Sequence, residues 1–232
     1  MRLRVLFPLA GLACSFMGLF LALLVGEWSL LRVLVAIVVA VDMELMARWM
    51  HRDLWHAKWL WWIHASHHGL SAPLYSIPGD NAKGFQPKRV IKGVLEANDV
   101  FAAIFAVAAT LTLEASYKPP PALIKDLAFG TAIGFTFYGI MYFIGHDLIA
   151  HRRGGPELAD ALARLAPQYI SSCAHAHVKY HHSGNDDSRP YGFFLPEVEL
   201  TGAEDRWFVK ASHRATQAVM LALAGLGACA CV

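Results

Sequence analysis

Charged residues are scarce in this chain of 232 residues, of which 16% are charged and 56% are hydrophobic. A composition this apolar is typical of membrane proteins rather than soluble domains. The formal net charge is only +2, and no basic tract with interleaved aromatic residues occurs. Nucleic acid is therefore not a predicted partner, and the composition predicts an integral membrane protein.

Two metal-binding patterns are also missing. The four cysteines form no C-x-x-C pair, which argues against a zinc ribbon and a disulfide framework. No glutamate stands three residues before a histidine, so the Glu-x-x-His pairs of a carboxylate-bridged di-iron bundle are absent.

Long apolar runs predict about four transmembrane helices, at residues 5–25, 30–47, 100–114 and 127–145. A run of about 20 apolar residues crosses the hydrocarbon core of a bilayer. Arg2 and Arg4 precede the first run, a pattern shared with signal peptides, but its length and the lack of a small-x-small cleavage site favour a retained span. We therefore expect an all-α, multi-pass membrane fold in which residues 1–232 form a single integral-membrane domain. Close helix contacts in lipid are expected at Gly130, Gly134 and Gly139.

Histidine is abundant, with 12 residues in the chain. Ten of them stand at the ends of predicted spans, in four groups: His51/His56, His64/His67/His68, His146/His151 and His177/His181/His182. The spacing of the second group places its rings on one side of an α-helix. The five-residue spacing of His51 and His56 turns an α-helix by about 140°, so this pair is expected to reach around two ions or to stand where a helix ends.

Membrane topology predicts that these groups share one face. Two groups follow the second span, and spans three and four form a hairpin that returns the chain to the same side. Basic residues mark that side as cytoplasm-like: Arg2, Arg4, Arg48, Arg52, Lys58, Lys83, Lys88, Arg89, Lys92, Arg152 and Arg153. An aromatic belt is expected at the same interface, formed by Trp55, Trp59, Trp61 and Trp62.

Ten imidazoles are too many for one ion, which takes about four to six ligands, and they suit two. Iron is the physical choice if the site activates O2, because zinc has no redox chemistry. Ligating imidazoles need acceptors that hold their other N–H group, and the candidates are Glu44, Asn98, Asp99 and Asp147. Glu44 could instead pair with Arg48. His175 is a further candidate near the last group.

The arrangement H-x4-H, H-x2-HH, H-x4-H, H-x3-HH resembles the fatty acid hydroxylase superfamily of membrane di-iron enzymes. Within it, the chain is most similar to the non-haem β-carotene hydroxylases. The stretches that carry the resemblance cover about residues 40 to 200: "MELMARWMHRDLWHAKWLWWIHASHH", "LEANDVFA", "YGIMYFIGHDLIAHRR" and "HVKYHHSGNDDSRPYGFFLPEVEL".

The resemblance implies hydroxylation of β-carotene at ring carbon 3, through β-cryptoxanthin to zeaxanthin. It implies O2 as co-substrate, a ferredoxin-type electron donor and a carotenoid substrate dissolved in the membrane. It implies a plastid membrane in an alga or plant, and the cytoplasmic membrane otherwise. It also implies two non-haem irons, with ten ligands: His51, His56, His64, His67, His68, His146, His151, His177, His181 and His182.

The chain departs from that family at two points. The last group usually reads H-x2-HH, and here His177 stands one residue further back, which leaves the choice between His175 and His177 open. The link at residues 69–94 is longer than usual. A carotenoid ketolase and a sterol or fatty-acyl hydroxylase are alternatives on the same scaffold. A metal transporter is a more distant one, because its ligands should lie near the middle of the spans.

Overall fold

The structure is a computed structural model, and it describes residues 13, 16–24, 26–56, 64, 67, 99–117, 121–183 and 189–196. This part of the chain contains helices and no strand, so the predicted all-α class is confirmed. Residues 16–24 are helical. The elements that follow are α1 (Leu30–Trp49), the π-helical turn π1 (Met50–Trp55), α2 (Asp99–Tyr117), α3 (Ala122–Tyr142), the π-helical turn π2 (Phe143–Ala150), α4 (Pro156–Leu165), α5 (Gln168–Tyr180) and a short 3-10 turn (His181–Ser183).

One helix within the described residues is long and apolar enough to cross a membrane. It is the continuous α3–π2 rod, Ala122–Ala150, which has 29 residues and contains the predicted span 127–145. Phe101–Tyr117 is a shorter apolar helix, and α1 covers the predicted span 30–47 but carries Arg32, Asp42, Glu44 and Arg48. The predicted span 5–25 lies largely outside the described residues. Four spans and a single domain over residues 1–232 stay predictions.

Small residues let α3 lie directly against α1. A Cβ atom added at Gly130 would lie 2.7 Å from Cβ of Val35, and one added at Gly134 would lie 2.7 Å from the carbonyl oxygen of Ala36 and 2.7 Å from Cβ of Val39. The predicted close contacts at Gly130 and Gly134 are therefore confirmed. At Gly139, an added Cβ atom would meet none of the described residues beyond its own stretch of helix within 4 Å, so the predicted contact is not seen in this part of the chain.

Apolar packing fixes α1, α2 and α3 next to the histidines. Met43 and Met46 of α1 meet Ala109 of α2 and Phe135 and Tyr138 of α3 in one buried cluster. Nearer the start of α1 and α3, the Nε atom of Arg32 lies 2.6 Å from Oδ1 of Asp126. The three helices are thus held together along their length.

The chain reverses after π2 and returns to the same end of the bundle. Gly155 takes a φ of 102°, a left-handed conformation that glycine adopts readily, and Pro156 then starts α4 at a position that needs no N–H donor. A second apolar cluster joins Ile149 of π2 to Ile170 and Cys173 of α5. This packing brings the end of α5 beside both π-turns.

We expect Gly134→Ala to destabilise the protein, because the added methyl group would overlap Val39 and the backbone of α1. Overpacking of this kind costs about 1–3 kcal/mol, and it should lower the thermal midpoint in detergent. Gly139→Ala is the matched control, since the same methyl group meets none of the described neighbouring elements there and alanine favours a helix by about 1 kcal/mol over glycine. Equal midpoints for both variants would contradict the close helix contact.

Candidate metal centre

The two π-turns explain the five-residue histidine spacing. In π1 the backbone N–H of His56 donates to the carbonyl of His51 over 3.0 Å, and in π2 His151 donates to His146 over 2.9 Å. A hydrogen bond from residue i+5 to residue i is the mark of a π-helix, which is rare and is common at functional sites. The ring centroids are 5.1 Å apart in the first pair and 4.4 Å apart in the second. Of the two alternatives for His51 and His56, the structure fits the second, since the pair stands where the helix ends, with His56 as the cap of π1, and both residues join one group.

Eight histidines converge into two groups whose candidate ligand atoms lie within 4.8 Å of one another in each group. The first group is His51, His56, His64 and His181, and the second is His67, His151, His177 and His182. Each group takes residues from both histidine-rich regions of the chain. His181, from the later region, joins three histidines of the earlier one in the first group. His67, from the earlier region, joins three histidines of the later one in the second group. The neighbours His181 and His182 therefore serve different groups, and both regions contribute to each group, as a site shared between them requires.

The remaining predicted histidines have different positions. His146 borders the second group, with its Nε2 atom 3.3 Å from Nε2 of His151 and its ring stacked on His67 at 5.1 Å. His175 is exposed on α5 and belongs to neither group, whereas His177 is buried within the second. His68 lies outside the described residues.

The second group has more close nitrogen contacts than hydrogen bonds can serve. Nε2 of His151 lies 3.3 Å from that of His146 and 3.2 Å from that of His177, and His182 lies 3.0 Å from His177 by the same atoms. An Nε2 atom carries either one proton or one lone pair. These four atoms, three of the second group and one of His146 beside it, can therefore form at most two mutual hydrogen bonds, so one of the three contacts has no hydrogen bond of its own. A cation that accepts all the lone pairs removes this conflict.

The nitrogen separations also fit a coordination shell. A metal–nitrogen distance of about 2.0–2.1 Å places neighbouring ligands about 2.9–3.4 Å apart in octahedral or tetrahedral geometry. The close Nε2 pairs of the second group fall in this range, as does the His51–His64 pair of the first group at 2.9 Å. Imidazole suits zinc and iron alike, so the residues fit a metal ion without selecting one.

Two of the histidines have their outer nitrogen held by an oxygen acceptor. Nδ1 of His51 lies 2.7 Å from the carbonyl oxygen of Tyr191. Nδ1 of His146 lies 3.1 Å from Oδ1 of Asp147, which also lies 3.3 Å from Nε of Arg153. Donation from Nδ1 leaves the lone pair on Nε2, which faces the group. Asp147 therefore lies where its predicted orienting role requires.

The other predicted orienting residues are placed less directly. Glu44 is buried and accepts hydrogen bonds from the backbone N–H groups of Phe194 and Leu195. It thus supports a segment that touches the histidines. Asn98 lies outside the described residues, and Asp99 begins α2, with its side chain outside the description.

Two aromatic side chains that the sequence analysis did not single out, Tyr142 and Phe193, form walls of the site. Tyr142 stacks on His146 with ring centroids 4.4 Å apart, and Phe193 lies 5.8 Å from the rings of both His146 and His177. Trp55 is buried 5.3 Å from the ring of His51, which fits the alternative that some of the predicted belt tryptophans line the site. Its place on π1 turns it inward. The predicted belt residues Trp59, Trp61 and Trp62 lie outside the described residues. No ligand spacing marks such wall residues in a sequence.

Burial keeps the imidazoles neutral. Burial is the main cause that lowers the pKa of five histidines well below 6.5, and the charges of neighbouring histidines lower these pKa values further. The five are His51, His67, His151, His177 and His182. Burial alone lowers the pKa of His56 to about 4. A neutral imidazole is the form that binds metal.

Comparison with known proteins gives a consistent set of relatives. The chain is 37% identical over 163 residues to β-carotene hydroxylase 1, chloroplastic, of Capsicum annuum, which covers 69% of this chain and 42% of that protein. It is 35% identical over 181 residues to β-carotene 3-hydroxylase 1, chloroplastic, of Arabidopsis thaliana, covering 75% and 49%. It is 29% identical over 171 residues to a β-carotene hydroxylase of a Paracoccus species, covering 72% and 85%.

The chain spans less than half of the length of the plant relatives it matches. It spans most of the bacterial one. No protein-family model matches the chain, and no solved structure matches it.

We expect His177→Ala to reduce bound metal from about two ions per chain to about one, because it removes a buried donor from the second group. His175→Ala is the control on the same helix, since it makes the same chemical change at an exposed position. Metal content of the purified proteins, measured by mass spectrometry, checks this. Equal loss of metal in both variants would contradict the assignment of His177 to the group.

We expect the metal-free protein to lose stability as the pH falls from 7 to 5. Above pH 6.5 these histidines are neutral in both the folded and unfolded states. Below it the unfolded chain takes up protons that the buried rings do not, which costs about 1.4 kcal/mol per pH unit for each histidine. The thermal midpoint of chelator-treated protein in detergent should therefore fall with pH. A midpoint that stays constant or rises would contradict a neutral, buried cluster.

Proposed function

We propose that the chain is a β-carotene hydroxylase that acts on the β-rings of a carotenoid, because it is 37% identical over 69% of its length to a relative with that name and similar to others. The expected reaction converts β-carotene through β-cryptoxanthin to zeaxanthin. The observation that carries the proposal is the pair of all-imidazole groups, because two such groups can hold two metal ions. A transporter is disfavoured, since the groups lie at helix ends.

Two non-haem irons are the proposed cofactors. The first would be held by His51, His56, His64 and His181, and the second by His67, His151, His177 and His182, with His146 beside it and His68 as a further predicted ligand. Bound iron would supply the activation of O2 and the redox chemistry that hydroxylation of a C–H bond requires, which zinc does not offer. We therefore infer iron from the chemistry of the reaction, while the donor atoms are common to both metals.

The protein's own part in this reaction is to position the substrate and to exclude water. Trp55, Tyr142 and Phe193 lie against the histidine rings and cover them with apolar surface. The oxygen acceptors beside Nδ1 of His51 and His146 keep the lone pair of each ring on Nε2, which faces the groups. A dry, rigid site of this kind protects a reactive centre and holds one ring carbon of the substrate near it.

A multi-pass membrane setting explains how the substrate reaches the site. Apolar side chains are exposed along the outer faces of α1 and α2: Leu34, Ile37, Val38, Val41, Ile104, Val107 and Leu111. Exposed apolar surface of this extent marks contact with lipid or protein, and four spans remain the arrangement we propose. A carotenoid dissolved in the same lipid could then bring its ring to the ends of α1 and α3. In a plant or alga the membrane would be that of the plastid, as the names of the chloroplastic relatives suggest, and elsewhere the cytoplasmic membrane.

Reduction of O2 requires electrons from a partner, and we propose a ferredoxin-type donor. Arg52, Arg152 and Arg153 belong to the same end of the bundle as the histidines. Basic side chains there would attract an acidic electron carrier and speed its encounter with the enzyme. Lys83, Lys88, Arg89 and Lys92, which could extend this surface, lie outside the described residues.

Expression in cells that accumulate β-carotene tests the proposal. The wild-type chain should yield β-cryptoxanthin and zeaxanthin by pigment chromatography, and His67→Ala should abolish both products, because it removes a ligand from the second group. The exposed His175→Ala variant should retain product formation. A keto-carotenoid would indicate a ketolase instead, and unchanged pigment with the wild-type chain would point to a sterol or fatty-acyl substrate.

A further inference from the structure

One irregular segment, residues 189–196, contacts both histidine groups, and we call it the strap. The carbonyl oxygen of Tyr191 accepts from Nδ1 of His51 at 2.7 Å, and the Tyr191 ring lies 5.3 Å from that of His56. Two residues later, the ring of Phe193 lies 5.8 Å from His177 of the second group. The position of the strap therefore bears on both groups.

A buried carboxylate holds the strap in place. Oε1 of Glu44, in α1, accepts from the backbone N–H of Phe194 at 2.6 Å and from that of Leu195 at 3.1 Å. Its other oxygen, Oε2, accepts from the hydroxyl of Tyr138 at 2.8 Å. Glu44 is only 3% exposed, and a carboxylate in such surroundings is costly unless hydrogen bonds compensate for its lost hydration.

The strap is also held from its other side. The hydroxyl of Tyr169, on α5, donates to the carbonyl of Phe194. Phe194 is thus fixed by its N–H group to α1 and by its carbonyl group to α5. Because Phe194 follows Tyr191 by only three residues, fixing it restricts where the Tyr191 carbonyl can lie.

We propose that Glu44 is a positioning residue of the first metal group and acts on it through the strap. An imidazole binds a cation through Nε2 only when its proton is on Nδ1. The Tyr191 carbonyl holds the proton of His51 there. If the strap loses its anchor, this acceptor withdraws, the proton is free to move to Nε2, and the ring is free to rotate away from the group.

His146, which borders the second group, has an independent support. His146 is oriented by Asp147, which belongs to the same π-turn, so its ring does not depend on a strap acceptor. Loss of the Glu44 anchor should therefore affect the two groups unequally, with the first affected more. A general loss of stability would affect both groups alike, which separates the two explanations.

The test measures iron rather than activity, and it rests on the proposed function only in that the site holds two irons. In purified protein enriched in 57Fe, Glu44→Leu should reduce iron from about two ions per chain to about one, with loss of one of two Mössbauer signals. Glu44→Gln should retain both, because its carboxamide oxygen can accept from the strap while its NH2 group donates to Tyr138. Asp126→Asn is the control, since it weakens the Arg32 ion pair elsewhere in the same bundle and should leave both signals unchanged.

Glu44→Asp covers the case in which Glu44→Leu fails to accumulate. It keeps the buried acid but draws the carboxylate back by one methylene group, so the signal of the first group should still weaken. Two unchanged Mössbauer signals in Glu44→Leu would overturn the inference. If Glu44→Leu does not accumulate, two unchanged signals in Glu44→Asp would overturn it. So would equal loss of both signals. A wild-type protein without bound iron would instead contradict the proposed function.

Discussion

A metal-binding imidazole must present a lone pair at one nitrogen while the proton stays on the other, and the centre of this protein is built around that requirement. Burial keeps the rings neutral. Oxygen acceptors hold the outer proton of His51 and His146. The resulting convergence of Nε2 atoms is unfavourable without a cation, since lone pairs then face one another. The surrounding helices hold the rings in this arrangement through the packing of their apolar side chains.

Much of this centre could be predicted from residue type and topology. Ten histidines at the ends of apolar runs, with an even number of predicted crossings between the two regions, indicated a shared site on one membrane face. The structure brings both regions together, and it places His177 rather than His175 among the converging rings. The all-α class followed from the apolar runs in the same way.

What could not be predicted depends on backbone geometry. A five-residue spacing suggests diverging side chains in an α-helix, and only the π-turns bring His51 and His56 to the same group. No rule of ligand spacing reveals that His181 and His182 divide between two groups, because this depends on how α5 ends against both turns. The strap was missed as well. Its one visible signal was Glu44, a charged residue inside an apolar run, whose partners lie some 150 residues further along the chain.

The close packing of α1 and α3 also sets the two histidine pairs at one depth. Val39 precedes His51 by the same number of residues (39 to 51) as Gly134 precedes His146 (134 to 146), and Val39 and Gly134 meet at the helix contact. The two helices run side by side in register, each ending in a π-turn that begins the same kind of histidine pair. Sliding one helix by a single residue would displace one pair against the other by about 1.5 Å, several times the tolerance of about 0.2 Å in a metal–ligand distance. The spacing of the two metal groups is therefore controlled by glycine contacts about 18 Å away along the helices.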